Sequence, residues 1–386
     1  MGKIIRITTV PKSLGGLLKG QLKFMSDYYE VVGITSKGDI TDGVSDLDQV
    51  AQQEGIRVIP VEMTRKITPI KDLVAVYKLY KIFKTEKPVI VHSHTPKAGT
   101  LSMIAARFAN VPHRLHTIAG LPLLEATGAK RKLLDFVEKI TYACATKIYP
   151  NSFGLNDIIL ENKYTVPQKL KVIANGSSNG IDTSHFDPKL YSGDDNNYLK
   201  KKLHIEASDI VFIFVGRLVK DKGINELINA FKRINSQFQN VKLLLVGSYE
   251  KELDPLFPES EKEIDSNPNI ISVGWQNDVR PYFAISDILT FPSYREGFPN
   301  VVMQAGSMGL VSIVTNINGC NEIISDGVNG TIIPTKDTEA LFKSMEKFII
   351  DIAYKNQLSV VTRTTICNNY ERKYVWEALL EEYKQL

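Results

Sequence analysis

Short apolar, β-branched runs alternate with longer stretches of helical spacing along almost the whole chain. In the first half, residues 4–8, 31–34, 57–60, 89–92, 114–116 and 171–173 read as strands. Between them, residues 17–27, 71–84, 97–109 and 130–143 repeat their apolar positions every three to four residues, as helices do. The second half repeats the scheme, with strands at 210–215, 242–246, 270–273, 288–291, 312–315 and 331–333 and helices at 224–238, 279–285, 300–308 and 338–350. Such alternation predicts an α/β protein whose doubly wound parallel sheets are covered by helices on both faces. A polar stretch rich in turn residues, from Asn175 through Pro188 and on to Asn197, separates the two blocks. It places a boundary near residue 185, giving domains 1–185 and 186–369. The last helical stretch, 370–386, either caps the second domain or returns to the first. Open parallel sheets bind ligands beyond the carboxyl ends of their strands, so two facing sheets predict a site in a central cleft.

The 386 residues suffice for two domains with substantial cores, and 43% hydrophobic with 23% charged residues is ordinary for a globular protein. A net charge of +4 is too small to point to nucleic acid. Cys144, Cys320 and Cys367 are far apart, which fits a reducing compartment and gives no zinc spacing. The first residues read as a strand, and no apolar run nears the about 18 residues of a spanning helix, so the expected location is cytoplasmic. The sequons at Asn175 and Asn329 carry no weight there.

The segment 291–306 concentrates the chemistry. A short apolar strand runs into a polar turn carrying Glu296 and Gly297, followed by Phe298, and a helix is expected to start at Pro299 and Asn300. Free backbone amides and the positive end of the helix dipole then face the turn, beside a carboxylate. Amides for an anion and a carboxylate for hydroxyls suit a phosphorylated sugar. Upstream, Gly216, Arg217, Lys222 and Gly223 lie between a strand and a helix, where a guanidinium fork and an ammonium make a diphosphate clamp, or else a solvated basic loop. Gly15 and Gly16 follow the first strand and would let backbone approach a ligand, or simply form a tight turn. His92 and His94 are read with their rings on opposite faces of a strand, which argues against a shared metal. His116 is read as ending a strand and entering a loop. His92 and His113 are expected to be structural. Asp46-Leu-Asp48 has a metal-binding form, yet sits where an Asp caps the following helix; no metal is expected.

Glu296 and, eight residues on, Gln304 resemble the Glu-x7-Glu signature of retaining glycosyltransferases of family four, which have the GT-B fold: two Rossmann-like domains facing a cleft. The second acid is Gln here. Its carbonyl still accepts a hydrogen bond, but the charge that typically holds the nucleotide ribose is gone. The resemblance implies a nucleoside-diphosphate sugar as donor, UDP-linked in expectation, no required cofactor, and a last helix, 370–386, that crosses back onto the first domain. Arg217 and Lys222 would hold the diphosphate. Glu296 and the amides of Gly297 and Phe298 would hold sugar hydroxyls. His116 would lie near the donor sugar ring, with the Gly15-Gly16 loop across the cleft. Glu322, in Asn318-Gly-Cys-Asn-Glu322, matches a Gly-x-x-Glu loop and would add the charge absent at Gln304. Trp275 would lie near the base, or be a core aromatic. His94, Gly120 and Glu125 are the acceptor-side candidates, the last two within the largely apolar segment 120–132. The closest likeness is to transferases that build capsule, O-antigen or glycan precursors on saccharide or polyprenyl-diphosphate-linked saccharide acceptors. A nucleotide-sugar epimerase of the same fold and a non-catalytic assembly partner are the rival readings.

The segment 65–87, from Arg65 to Lys87, carries seven basic and two acidic residues. On a helix, Lys71, Lys78, Lys81 and Lys84 span an arc of about 140°, with Tyr77, Tyr80 and Phe83 among or beside them. Either this is a solvated face or it rests on an anionic bilayer.

Overall fold

In this computed structural model, residues 2–64, 67–121, 123, 126–252 and 254–386 are described. The β-branched runs of the first block form β1 (Lys3–Ile7), β2 (Glu30–Thr35), the hairpin β3 (Ile40–Thr41) and β4 (Val44–Ser45), then β5 (Arg57–Pro60), β6 (Ile90–Ser93), β7 (His113–Ile118) and β8 (Lys147–Pro150). Hairpin aside, they make one parallel sheet ordered β5-β2-β1-β6-β7-β8. The second block forms β9 (Ile210–Val215), β10 (Val241–Val246), β11 (Ile270–Ser272), β12 (Ile288–Phe291), β13 (Val311–Thr315) and β14 (Gly330–Ile333). Its parallel order, β11-β10-β9-β12-β13-β14, is the same doubly wound arrangement. In each sheet the order reverses at one point: between β1 and β6, and between β9 and β12.

The chain divides into two compact units: residues up to Gly180 together with Lys373–Leu386, and Ile181–Arg372. The division falls at 180/181 and 372/373, not at 185 and 369, because the two crossings pair. Ile181 N donates to Tyr370 O at 2.8 Å, and Arg372 N to Ile181 O at 2.9 Å. Residues 171–173, read as a strand, are not one; Leu170 makes only an isolated bridge to Ile148. The sixth strand is Lys147–Pro150 instead, four residues lying just beyond the helix Gly128–Cys144 and too short to show a period of their own. The helix expected at 17–27 is two, Pro11–Leu17 and Gln21–Ser26, broken where Gly20 turns left-handed. Ile352–Tyr370, not anticipated, is a helix that buries only every fourth residue, Leu358, Thr362, Ile366 and Tyr370. Its polar and β-branched remainder masks that stripe. Among the described residues no helix is long and apolar enough to cross a membrane.

In the first unit one face of the sheet packs Ile5, Val32 and Val91 against Leu79, Phe83 and Ala106. The other packs Ile4 and Leu115 against Leu14, Leu22 and the C-terminal helix Arg372–Lys384 through Leu379, Leu380 and Tyr383. The last helix therefore belongs to the first unit's core. Leu379→Ala should cost about 2–5 kcal/mol in chemical denaturation; a loss below about 1 kcal/mol would mean the helix is not part of that core.

Candidate functional site

The second unit brings its predicted residues together at the strand-order reversal. The turn after β9 carries Arg217 and Lys222; the turn after the adjacent β12 carries Glu296. These turns touch: a Cβ on Gly223, whose φ is +70°, would lie 2.1 Å from Pro292 O, so only glycine fits. Tyr294 N donates to Asp221 O at 2.9 Å, and Arg295 reaches the Asp221 carboxylate at 2.9 Å. The result is a direct ion pair between Lys222 Nζ and Glu296 Oε1, both largely buried, with the ammonium 5.6 Å from the Phe291 ring centroid. Ser293 Oγ donates to the same carboxylate oxygen at 3.1 Å, and Thr315 Oγ1 fixes Ser293 by donating to its carbonyl. The amides of Gly297 and Phe298 have no acceptor among the described residues. Gly319 (φ +72°) packs its Cα side on Gly297 O and Phe298 Cα, holding the Glu322 loop against this turn. Arg217 is half exposed and its Nη1 donates to Glu250 at 2.7 Å. Buried Cys320 has its thiol pushed well above the usual range, by burial first and by nearby Glu296. The helix is Asn300–Ser307, so Pro299 is its N-cap and not its first residue. Gln304 is half-buried one turn inside. Gly216 closes β9, and Trp275 is 61% exposed, which removes the core-aromatic reading.

The first unit has a different character. His92 and His94, assigned to opposite faces, share one face with ring centroids 4.2 Å apart. The correction follows from the period of two, which returns residue i+2 to the side of residue i. Both His92 nitrogens are engaged, Nδ1 with Tyr383 Oη at 2.5 Å and Nε2 with Thr117 Oγ1 at 2.8 Å. His94 Nε2 accepts from Arg6 Nε at 3.0 Å, which leaves the proton on Nδ1, a buried atom without a partner among the described residues. Arg6 is itself fully buried and donates to Gln21, which binds Ser178 O and Asn179 Oδ1 at 3.1 Å each. At this sheet's reversal Thr9 N donates to Thr95 Oγ1 at 3.0 Å. His116 does not enter a loop. It lies inside β7 on the face opposite His94, bonded to Ser93 Oγ at 2.9 Å and pressed against Gly99.

The description "Glycosyl transferases group 1" matches residues 195–363, and "Glycosyl transferase 4-like" matches residues 23–152. Over 382 residues the chain is 35% identical to the capsular polysaccharide biosynthesis glycosyltransferase CapM of Staphylococcus aureus, spanning 99% of this chain and 96% of that one. The chain belongs to the group 1 glycosyl transferases. It is 32% identical over 315 residues to an Escherichia coli protein named UDP-Gal:alpha-D-GlcNAc-diphosphoundecaprenol alpha-1,3-galactosyltransferase, spanning 80% of this chain and 78% of the other. Among solved structures, Anabaena HepE in complex with UDP superposes with a TM-score of 0.81 at 18% identity, and a Rickettsia africae glycosyltransferase with 0.79 at 20%. HepE is matched over 100% of both chains, the Rickettsia protein over 100% of this chain and 98% of its own. The two sheets are those of the GT-B fold.

The second-unit candidates of this glycosyltransferase thus cluster, whereas those of the first unit do not. Gly15 and Gly16 sit within the helix Pro11–Leu17, not in a loop; Gly15 admits close packing on Val50, and Gly16 faces open space. Gly120 is in the loop after β7, with open space around it, and Glu125 lies outside the described residues. Asp46 and Asp48 open a helix capped by Ser45, whose hydroxyl accepts from Asp48 N at 3.2 Å. No group of three potential metal-ligating side chains occurs among the described residues. Glu250, Thr9, Thr95 and Arg6 were missed, since each is brought to its site only by tertiary pairing, and Ser293 was missed although it lies three residues from Glu296 in the same turn. Burial lowers the pKa of His92 and His94 well below the ordinary value and takes His116 to about 4. These imidazoles are neutral when folded, whereas unfolded ones bind protons below about 6.5. Stability should therefore fall as pH drops from about 6.5 toward 4. His116→Asn should flatten the dependence of Tm on pH in that window; an unchanged slope would contradict the assignment.

Proposed function

We propose that this glycosyltransferase moves a sugar from a UDP-sugar, with retention of anomeric configuration, to a saccharide or polyprenyl-diphosphate-linked saccharide during assembly of a surface polysaccharide. The observation that carries this reading is the meeting of Lys222, Glu296 and the free amides of Gly297 and Phe298 at the strand-order reversal. Two cations beside unpaired amides suit a diphosphate, and a carboxylate held by Ser293 suits sugar hydroxyls. The E. coli relative's name includes UDP-Gal and a diphosphoundecaprenol-linked acceptor, and HepE was solved with UDP.

In the reaction, negative charge grows on the leaving diphosphate while the sugar becomes oxocarbenium-like. Arg217, Lys222 and the helix-end amides stabilise the first, where preorganised electrostatics contribute most. Glu296 holds the sugar, and the leaving phosphate takes the acceptor's proton. Trp275 flanks the base, with Gln304 and Glu322 on the ribose side. Pro299, the buried N-cap, and exposed Asn300, which opens the helix, keep the amides aimed. His94, Gly120 and Glu125 belong to the acceptor side. His116, buried and neutral, positions β7 and takes no proton. The helix containing Lys71 to Lys84 docks on an anionic membrane, keeping the enzyme peripheral at the inner face.

Arg217→Ala should lower turnover of UDP-sugar by two orders of magnitude or more; near-normal turnover would refute the clamp. Conversion of the donor with no acceptor present would favour an epimerase. At rest Arg217 is held by Glu250 in a half-exposed pair of modest worth. Glu250→Gln should lower the donor KM by about twofold to fivefold at unchanged kcat, and a raised KM would mean that Glu250 itself binds the donor.

A further inference from the structure

A small polar cavity lies at the carboxyl ends of β6, β7 and β8. His94, Thr117 and Asn151 line it from the strand ends, and Ser178 from the segment by which the chain leaves the first unit. Val375 and Leu379 close it from the helix by which the chain returns, so all six residues belong to that unit. The cavity measures about 10 Å³, close to the space one water molecule needs.

Three polar atoms of its walls, His94 Nδ1, Asn151 Oδ1 and Ser178 Oγ, are buried and have no partner among the described residues. His94 is 4% exposed and Asn151 5%, so bulk solvent does not serve them. A buried polar group left unpaired opposes folding, and three around one cavity call for a shared ligand.

The three atoms complement one another as partners of water. His94 Nε2 accepts from Arg6 Nε, which puts the ring proton on Nδ1 and makes that atom a donor. Asn151 Oδ1 accepts, and Ser178 Oγ does either. One water that accepts from His94 and donates to Asn151 and Ser178 makes three hydrogen bonds, the usual number for a buried one. The His94 N–H and the buried Arg6 guanidinium behind it disfavour a cation, and Asn151 Oδ1 disfavours an anion. The neighbouring backbone is tightly fixed. Ser177 adopts φ +66°, uncommon for a residue with a side chain, with its amide donating to Asn151 O at 2.7 Å and its hydroxyl accepting from Gly180 N at 3.0 Å.

We infer that one water molecule is an integral part of the first unit, bound by His94 Nδ1, Asn151 Oδ1 and Ser178 Oγ. It ties the ends of β6 and β8 to the segment by which the chain leaves the unit. With Nε2 on Arg6 and Nδ1 on the water, the His94 imidazole is held in one tautomer and one orientation.

Two measurements on the full chain test this. A crystal structure that resolves ordered solvent should show one peak about 2.7–3.2 Å from all three atoms. No peak there, or an anomalous peak after a bromide soak, would overturn the proposal, the second by making the occupant an anion. Chemical denaturation of Ser178→Ala gives the independent reading. Losing a hydroxyl bonded to water should lower the folding equilibrium constant about threefold to tenfold. An unchanged or raised constant would mean that the hydroxyl had no partner to lose, and would overturn the proposal. Asn151→Ala keeps the backbone bonds of that residue, and the double variant should lose less than the product of the two single losses, because both side chains share one water. Fully multiplicative losses would contradict a shared ligand.

Discussion

The contact between Lys222 and Glu296 is the constraint around which the second unit's site is organised. Two adjacent parallel strands, β9 and β12, deliver opposite charges to one point, and the sheet reverses its order there. Gly223 lets the two turns touch, and Ser293 and Thr315 fix the carboxylate turn from below. A partly buried pair of this kind is of modest worth to stability, because desolvation offsets much of the attraction. Its value is positional. In the function proposed above, the ammonium would meet phosphate and the carboxylate sugar hydroxyls.

The first unit repeats the same topology with different chemistry. Where the second unit places an ion pair, the first places a buried guanidinium between Gln21 and a neutral imidazole, with the Thr9–Thr95 contact beside it. Arg6 is pulled below its usual pKa by burial. Gln21 ties it to Ser178 and Asn179, and Trp376 Nε1 donates to Asn179 Oδ1 at 2.6 Å. One polar chain thereby runs from the first strand to both segments through which the polypeptide leaves and re-enters the unit. Its demand is strictest at Gln21, whose loss would leave the fully buried Arg6 Nη2 without its acceptor.

The alternation of strand and helix was legible because every strand of the second sheet is a strongly apolar run flanked by turn residues. The grouping of Arg217, Lys222 and Glu296 was legible for the same reason: each sits in the turn that follows such a strand. What failed was local evidence too weak for the feature concerned. Lys147–Pro150 is too short, and the helix Ile352–Tyr370 buries a single thin stripe. The Gly15-Gly16 pair looked like a loop although it lies in a helix, where Gly15 packs on Val50. His116 looked terminal because the strand that carries it is longer than its apolar core. Glu250 and Arg6 had no local signal at all; their partners are distant in sequence and are set by the sheet.

The proposed contact between Lys222 and the donor's diphosphate is the centre of the proposed function. Titration calorimetry of UDP into the wild-type chain and Lys222→Met tests it without an acceptor or a known sugar. The expected result is micromolar binding weakened by one to two orders of magnitude in the variant, consistent with loss of a charge-assisted contact. Equal affinities, or no UDP binding by the wild type, would contradict it.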